Sequence, residues 1–202
     1  MPSSDAPSRA TIVIAAVAVL AIAALAGGLI LRLAPNATEF TLASMEADVA
    51  QRFPLVTHLQ QAEFKTKLAS GKPPLLVDVR EDTEFNVSHL QGAIHIRPDI
   101  PIADAKAILL PLVDGREVVF YCSSGLRSSV VATEVQDDLI KSGATAVFNL
   151  RGGVFSWHNA YGALVDSRGN TDVVHPVSDA WGKLLDRRDK LRMTPQSSAD
   201  QR

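Results

Sequence analysis

The chain contains one cysteine, Cys122, and its neighbours give that thiol a chemical setting. The stretch Val118–Ser129 reads V-V-F-Y-C-S-S-G-L-R-S-S. Val118 to Tyr121 are apolar or aromatic and predict a short buried strand, which Cys122 closes. Ser123, Ser124, Gly125, Leu126 and Arg127 are too small, polar and glycine-bearing to extend it. From Ser128 the pattern turns helical, with Val131, Val135 and Leu139 recurring every four residues and Glu134, Asp137 and Asp138 on other faces. The thiol therefore falls in a tight turn between the carboxyl end of a strand and the N-terminus of a helix. The free amides of such a terminus carry partial positive charge and favour an anion, and the thiolate is the reactive form of cysteine. Arg127 adds a permanent charge that could favour the thiolate or dock an anionic substrate. Gly125 permits a turn that a side chain would hinder. An inert cysteine that merely fills space at a strand end is the competing reading, and these residues alone leave both open.

Composition narrows the chemistry. The chain has 202 residues and a formal net charge of −2, which gives no sign of a nucleic-acid partner. A single cysteine excludes an intramolecular disulfide and a cysteine-cluster metal site. His58, His89, His95, His158 and His175 are scattered without a helical ligand pair and read as structural or exposed, so no metal or cofactor is expected. The N-terminal region has a different character. Thr11–Leu31 is an uncharged run of 21 residues between Arg9 and Arg32. At ~1.5 Å per residue it matches a hydrocarbon core of about 30 Å. Ala24-Leu25-Ala26 resembles a signal-peptidase site, but the apolar run continues through Leu31. The expectation is one uncleaved transmembrane helix. The basic residues on its two sides are nearly balanced and leave its orientation open.

The elements that must position Cys122 follow in order. Residues 1–10 read as a polar tail, 11–31 as the anchor and 32–54 as a connector with room for a short helix. Leu55–Leu59 is a candidate strand, Gln60–Ser70 a helix that Gly71 stops, and Leu75–Val79 a buried strand. Asp78 within that strand must be satisfied by backbone amides or a nearby arginine. Arg80 and Glu84 are four apart and are expected to pair. Phe85–Leu90 reads as the end of a short helix, Ala93–Ile96 as a strand and Asp104–Val113 as a helix interrupted by Pro111. Ala146–Leu150 is a last strand. Gly152-Gly153 would allow close approach to the cysteine loop, and Val154–Tyr161 forms a helix anchored by Trp157. Residues 166–202 read as a tail. Within it Trp181–Leu185 could dock back, Asp186–Arg192 is a solvated helix face, and the last ten residues are disordered. Alternating strands and helices argue an α/β domain with a mainly parallel sheet, whose ligands bind beyond the strands' carboxyl ends. Cys122, Arg80 and Gly152-Gly153 fall at such ends.

Three segments carry a resemblance. L-L-V-D-V-R-E (Leu75–Glu81) followed by E-F-N-V-S-H-L-Q-G-A-I-H-I (Glu84–Ile96) resembles the first signature of rhodanese domains. V-V-F-Y-C-S-S-G-L-R-S resembles their active-site loop, and L-R-G-G-V-F-S-W (Leu150–Trp157) their C-terminal signature. They occur in the family's order between Val56 and Val165, so the domain is expected over 55–165. Gln91 stands where the family usually has proline. The resemblance implies a rhodanese-like parallel sheet flanked by helices, here preceded by one transmembrane helix. It implies sulfur transfer, with Cys122 as nucleophile and persulfide carrier. The backbone amides of Ser123, Ser124, Gly125, Leu126, Arg127 and Ser128 would cradle the sulfur, and Arg127 would bind the donor's charge. Asp78, Arg80, Glu84, Gly152 and Gly153 would give structural support. The partners implied are a small sulfur donor such as thiosulfate, a thiol acceptor and, through residues 11–31, a lipid bilayer. Because turnover needs reduced acceptors, the domain is expected on the cytoplasmic side. Two other readings are a membrane-tethered adaptor without catalysis and a phosphatase. Related phosphatases place five residues between cysteine and arginine, whereas four separate Cys122 from Arg127.

Overall fold

Parallel strands buried on both faces read as continuous apolar runs, and the central strands of this chain do so. The computed structural model describes residues 40–195. Helix α1 (Leu42–Arg52) leads to β1 (Thr57–Leu59), α2 (Gln61–Leu68), β2 (Leu75–Asp78), α3 (Asp82–Val87) and β3 (Ile94–His95). Then come α4 (Ile102–Leu109) with a 3₁₀ turn (Leu110–Leu112) that accommodates Pro111, β4 (Glu117–Tyr121), α5 (Leu126–Lys141), β5 (Ala146–Leu150) and α6 (Gly153–Asn159). The chain continues through the hairpin β6 (Leu164–Asp166) and β7 (Gly169–Thr171), the short helix α7 (Asp179–Gly182) and a 3₁₀ turn at Arg188–Lys190. The main sheet has the order β1-β5-β4-β2-β3, and every pairing in it is parallel.

Side chains alternate across the sheet, so each face has its own core. Leu75, Val77, Val118 and Phe120 point to one face, where α4 and α5 cover them with Ala105, Leu109, Val131, Val135 and Leu139. Leu76, Val119 and Tyr121 point to the other, against Phe64 of α2 and Val154, Phe155 and Trp157 on α6. These two helices do not finish that second face. Leu164, Val174, Leu184 and Leu185 complete it, the last three from beyond the expected domain boundary.

The structure therefore redraws the expected domain of 55–165. On the N-terminal side α1, within the expected connector 32–54, buries Val49 and ties Glu46 to Arg151 and Ser156. On the C-terminal side the expected tail contributes core residues as far as Leu185, and Leu191 bridges to Val174 in place of a solvated helix over Asp186–Arg192. The expected anchor at 11–31 and tail at 1–10 lie outside the described residues, as do 196–202 of the expected disordered end. Among the described residues no helix is long and apolar enough to cross a membrane.

Leu185 is 1% exposed and sits in the second core, so Leu185→Ala removes packing that the domain uses. The substitution should destabilise the protein by about 3 kcal/mol, typical of a buried leucine truncated in place. Urea unfolding measures this, and an unchanged midpoint would mean that the C-terminal segment adds nothing to the core.

Candidate active site

Cys122 follows directly on β4 and is buried, with its thiol free. The helix after it starts earlier than the apolar period indicates. Gly125 is the N-cap of α5, and Leu126 and Arg127 already belong to its first turn rather than to the loop. Gly125 has φ 94°, in the left-handed region that a side chain disfavours. That turn brings its amide to the sulfur, with Gly125 N–H donating to Cys122 Sγ at 3.2 Å. The Gly125 carbonyl is fixed behind it by the Ser129 hydroxyl at 2.8 Å and the Asn149 side-chain amide at 3.1 Å.

The loop's peptide planes are set by α6. Val154 and Phe155 donate their amides to the carbonyls of Cys122 and Ser123, at 2.9 and 3.0 Å. In a trans peptide the N–H points opposite to the carbonyl. The amides of Ser123 and Ser124 therefore face away from α6, and both residues line the cavity at Cys122. This contact needs glycine at 153, where a Cβ would overlap the Cys122 carbonyl oxygen. At Gly152 a Cβ would collide with Ser156 and Glu46. The close approach to the cysteine loop expected of this pair belongs to Gly153, whereas Gly152 makes room for Ser156 and for Glu46 of α1.

The charged groups pair differently from the sequence expectation. Arg80 and Glu84 do not bond to each other. Arg80 grips Asp78 through Nε and Nη2, at 2.8 and 2.6 Å, and donates from Nη2 to the Ser88 carbonyl at 2.7 Å. Both side chains are fully buried, and Arg80 lies over the Tyr121 ring. Burial alone would lower the Arg80 guanidinium, but Asp78 outweighs it and the net shift is upward. Burial and the Asp78 charge raise the Tyr121 hydroxyl well above its ordinary range. Glu84 instead reaches across to the loop. It accepts from Arg127 Nη1 at 2.7 Å and Nη2 at 2.8 Å, from the Ser123 hydroxyl at 2.6 Å and from the Glu81 amide at 3.0 Å. Arg127 also meets Ser123 Oγ at 3.0 Å and is drawn electrostatically to the Cys122 sulfur. The i,i+4 spacing of Arg80 and Glu84 misled because α3 begins only at Asp82, which leaves Arg80 outside the helix.

Of the residues expected to cradle sulfur, Gly125 alone bonds to it. Ser123, Ser124, Leu126 and Arg127 line the cavity, while the Ser128 hydroxyl turns away to Asn149 at 2.6 Å. Two further lining residues, Val177 and Trp181, come from the C-terminal segment. No spacing rule in the sequence links them to the loop, although the segment 181–185 does read as able to dock. Asn149, another supporting residue absent from the sequence reading, sits fully buried on β5 and bonds to Gly125, Ser128 and His58. An asparagine within an apolar strand was the available signal. Among the described residues no group of His, Cys, Asp or Glu could hold a metal ion.

Residues 60–160 match the family model described as a rhodanese-like domain. An uncharacterized protein of Bacillus subtilis, YqhL, is 31% identical over 99 residues, 49% of this chain and 70% of that one. The tRNA uridine(34) hydroxylase of Staphylococcus haemolyticus is 30% identical over 123 residues, 59% of this chain and 36% of that one. A probable adenylyltransferase/sulfurtransferase of Mycobacterium tuberculosis, MoeZ, is 32% identical over 95 residues, 47% of this chain and 23% of that one. The chain thus spans about a third or less of the hydroxylase and of MoeZ.

Burial would raise the Glu84 carboxyl, but the hydrogen bonds and charge of Arg127, with those from Ser123 and Glu81, outweigh it and hold it at about 2. An unfolded glutamate titrates near ~4.3, so stability from this group is complete above about pH 5 and is lost as pH falls through about 4 towards 2. Glu84→Gln should lower stability at neutral pH by about 3 kcal/mol, since it leaves Arg127 without its countercharge. It should also flatten the acid limb of a plot of melting temperature against pH. An acid limb as steep as in the native protein would assign that titration to other carboxyls.

Proposed function

The chain belongs to the rhodanese-like domain family, and on that footing we propose that it is a sulfurtransferase in which Cys122 carries the sulfur as a persulfide. The observation that carries this reading is the setting of the only cysteine: it lines a cavity at the carboxyl end of β4 and accepts the Gly125 amide. The Cys122 thiolate would attack the sulfane sulfur of a donor such as thiosulfate. A new S–S bond forms at Cys122, the donor's own bond to that sulfur breaks, and sulfite leaves with the electron pair. An acceptor thiolate then attacks the outer sulfur, takes it as its own persulfide and restores the Cys122 thiolate. The outer sulfur would lie in the cavity, among the amides of Ser123, Ser124 and Gly125 and those of Leu126, Arg127 and Ser128, which have no carbonyl partner in the first turn of α5.

In this scheme Arg127 provides the positive charge that faces the sulfur, and Glu84 fixes its position. Asp78 with Arg80 and Gly152 with Gly153 hold the backbone on which the loop rests. A phosphatase has less support, because the guanidinium that would have to clamp a phosphate already gives both its Nη groups to Glu84. The uncharged run Thr11–Leu31 supports a second element of the proposal: a single transmembrane helix that tethers the domain to a bilayer, with the domain on the cytoplasmic side.

Treatment with thiosulfate should add one sulfur atom to the intact mass, and Cys122→Ser should remove both this adduct and turnover. Arg127→Ala should lower kcat/KM for anionic donors about tenfold, the scale of one lost charge-assisted contact. A native protein that never acquires the sulfur would favour the adaptor reading. The membrane tether predicts that the full chain stays in the pellet after carbonate extraction, and release into the supernatant would remove it.

A further inference from the structure

The cavity at Cys122 has polar and apolar lining. Cys122, Ser123, Ser124 and Arg127 supply the polar groups, and Leu126, Val177 and Trp181 the apolar ones. Its volume of about 280 Å³ falls just under the ~300–1,000 Å³ typical of drug-sized sites, which suits a small organic molecule. Two of the three apolar walls come from beyond residue 160, where the match to the family model ends.

Those walls are held firmly. Trp181 meets Phe155 at 6.5 Å between ring centroids and Phe40 at 5.7 Å, both edge to face. Its backbone amide is capped by the Ser178 hydroxyl at 3.4 Å. Val177 has φ 69°, a conformation that a β-branched residue adopts only under constraint. The constraint is visible on both sides of it. Ser178 N–H donates to the Pro176 carbonyl at 2.8 Å, which closes a three-residue turn around Val177. Val177 N–H donates to Nδ1 of the buried His175 at 3.0 Å. A valine kept where glycine would be relaxed marks its side chain as the part of the turn that matters.

The charge in the cavity is also compensated. Arg127, the charged residue of the lining, is matched by Glu84, so the lining side chains offer no net positive charge to a compact dianion. Apolar walls beside a neutralised arginine suit a donor of lower charge with an apolar body.

We propose that Val177 and Trp181 are specificity-determining residues that select a sulfur donor whose sulfane sulfur is borne on an apolar, ring-sized body over a compact inorganic anion. This rests on the sulfur-transfer reading above. With an aryl thiosulfonate, the Cys122 thiolate bonds to the terminal sulfur, the sulfur–sulfur bond of the donor breaks, and the aryl sulfinate leaves with the electron pair. The charge on the two sides is equal. Cyanide can then take the sulfur as thiocyanate and return the thiolate. During the first step the ring lies between Trp181, Val177 and Leu126.

The test compares benzenethiosulfonate with methanethiosulfonate, which carry the same charge, with cyanide as acceptor. Thiosulfate serves as the inorganic reference. The native full chain should give a higher kcat/KM with benzenethiosulfonate than with methanethiosulfonate or thiosulfate. Trp181→Ala should cut the benzene-to-methane ratio about tenfold, the scale on which a hydrophobic pocket discriminates. Val177→Gly is the second variant: it removes the wall while leaving a residue at ease with the local φ, so the ratio can be read even if Trp181→Ala fails to fold. A native ratio at or below one, or a ratio unmoved by Val177→Gly, overturns the inference while sulfur transfer stands. A native protein in which intact mass shows no sulfur on Cys122 from any of the three donors overturns the underlying reading and this one with it.

Discussion

The Glu84 carboxylate is the contact on which the site depends. It is buried and accepts from Arg127 twice, from the Ser123 hydroxyl and from the Glu81 amide. A buried ion pair gains little over an apolar substitute because desolvation cancels much of the attraction, but one left with a single partner costs about 3–5 kcal/mol. The pair is therefore poor as a source of net stability and strong as a geometric constraint. Glu84 lies on α3, after β2, while Ser123 and Arg127 flank the turn after β4. No backbone hydrogen bond of the sheet would fix α3 against that turn, and the carboxylate does. The arrangement also removes Arg127 from the set of free charges, so the arginine faces the sulfur with a countercharge already attached.

A second constraint acts from the opposite side. The carbonyls of Cys122 and Ser123 are taken by the amides of α6, and the packing leaves no room for a Cβ at Gly153. Glu84 grips the loop through side chains and α6 grips it through the main chain. Both α5 and α6 begin from a glycine N-cap with positive φ, Gly125 and Gly152. Such caps let each helix start abruptly at the end of a strand, which brings the free amides of the first turn close to the sheet's carboxyl edge.

Much of this was legible in the sequence because it depends on local pattern. The apolar runs at Leu75–Val79, Val118–Tyr121 and Ala146–Leu150, the punctuating glycines and the alternation of elements point to the parallel sheet and put Cys122 at its edge. Pairing of charges was not legible in the same way. Asp78 had a buried position that demanded backbone amides or a nearby arginine, but Arg80 was expected to meet Glu84, which pairs with Arg127 instead. Because α3 starts at Asp82, Arg80 lies outside the helix and is not brought to Glu84 by helical spacing. The C-terminal segment was hidden for another reason. Its elements, β6, β7 and α7, are three or four residues long, too short to show a period, and its buried residues are spread from Leu164 to Leu185.

The burial of that segment and the shape of the site have one cause. Leu76, Leu90 and Tyr121 share the second core with Val174, Leu184 and Leu185 as well as with residues of α2 and α6. The chain between Val174 and Leu184 crosses the cavity at Cys122, at the carboxyl edge of the sheet. The residues of that crossing are Val177 and Trp181. Their position over Cys122 is thus fixed by core packing on either side, and the strained φ of Val177 is sustained by the same anchoring. The cavity at Cys122 is in this way bounded by residues whose neighbours already belong to the core.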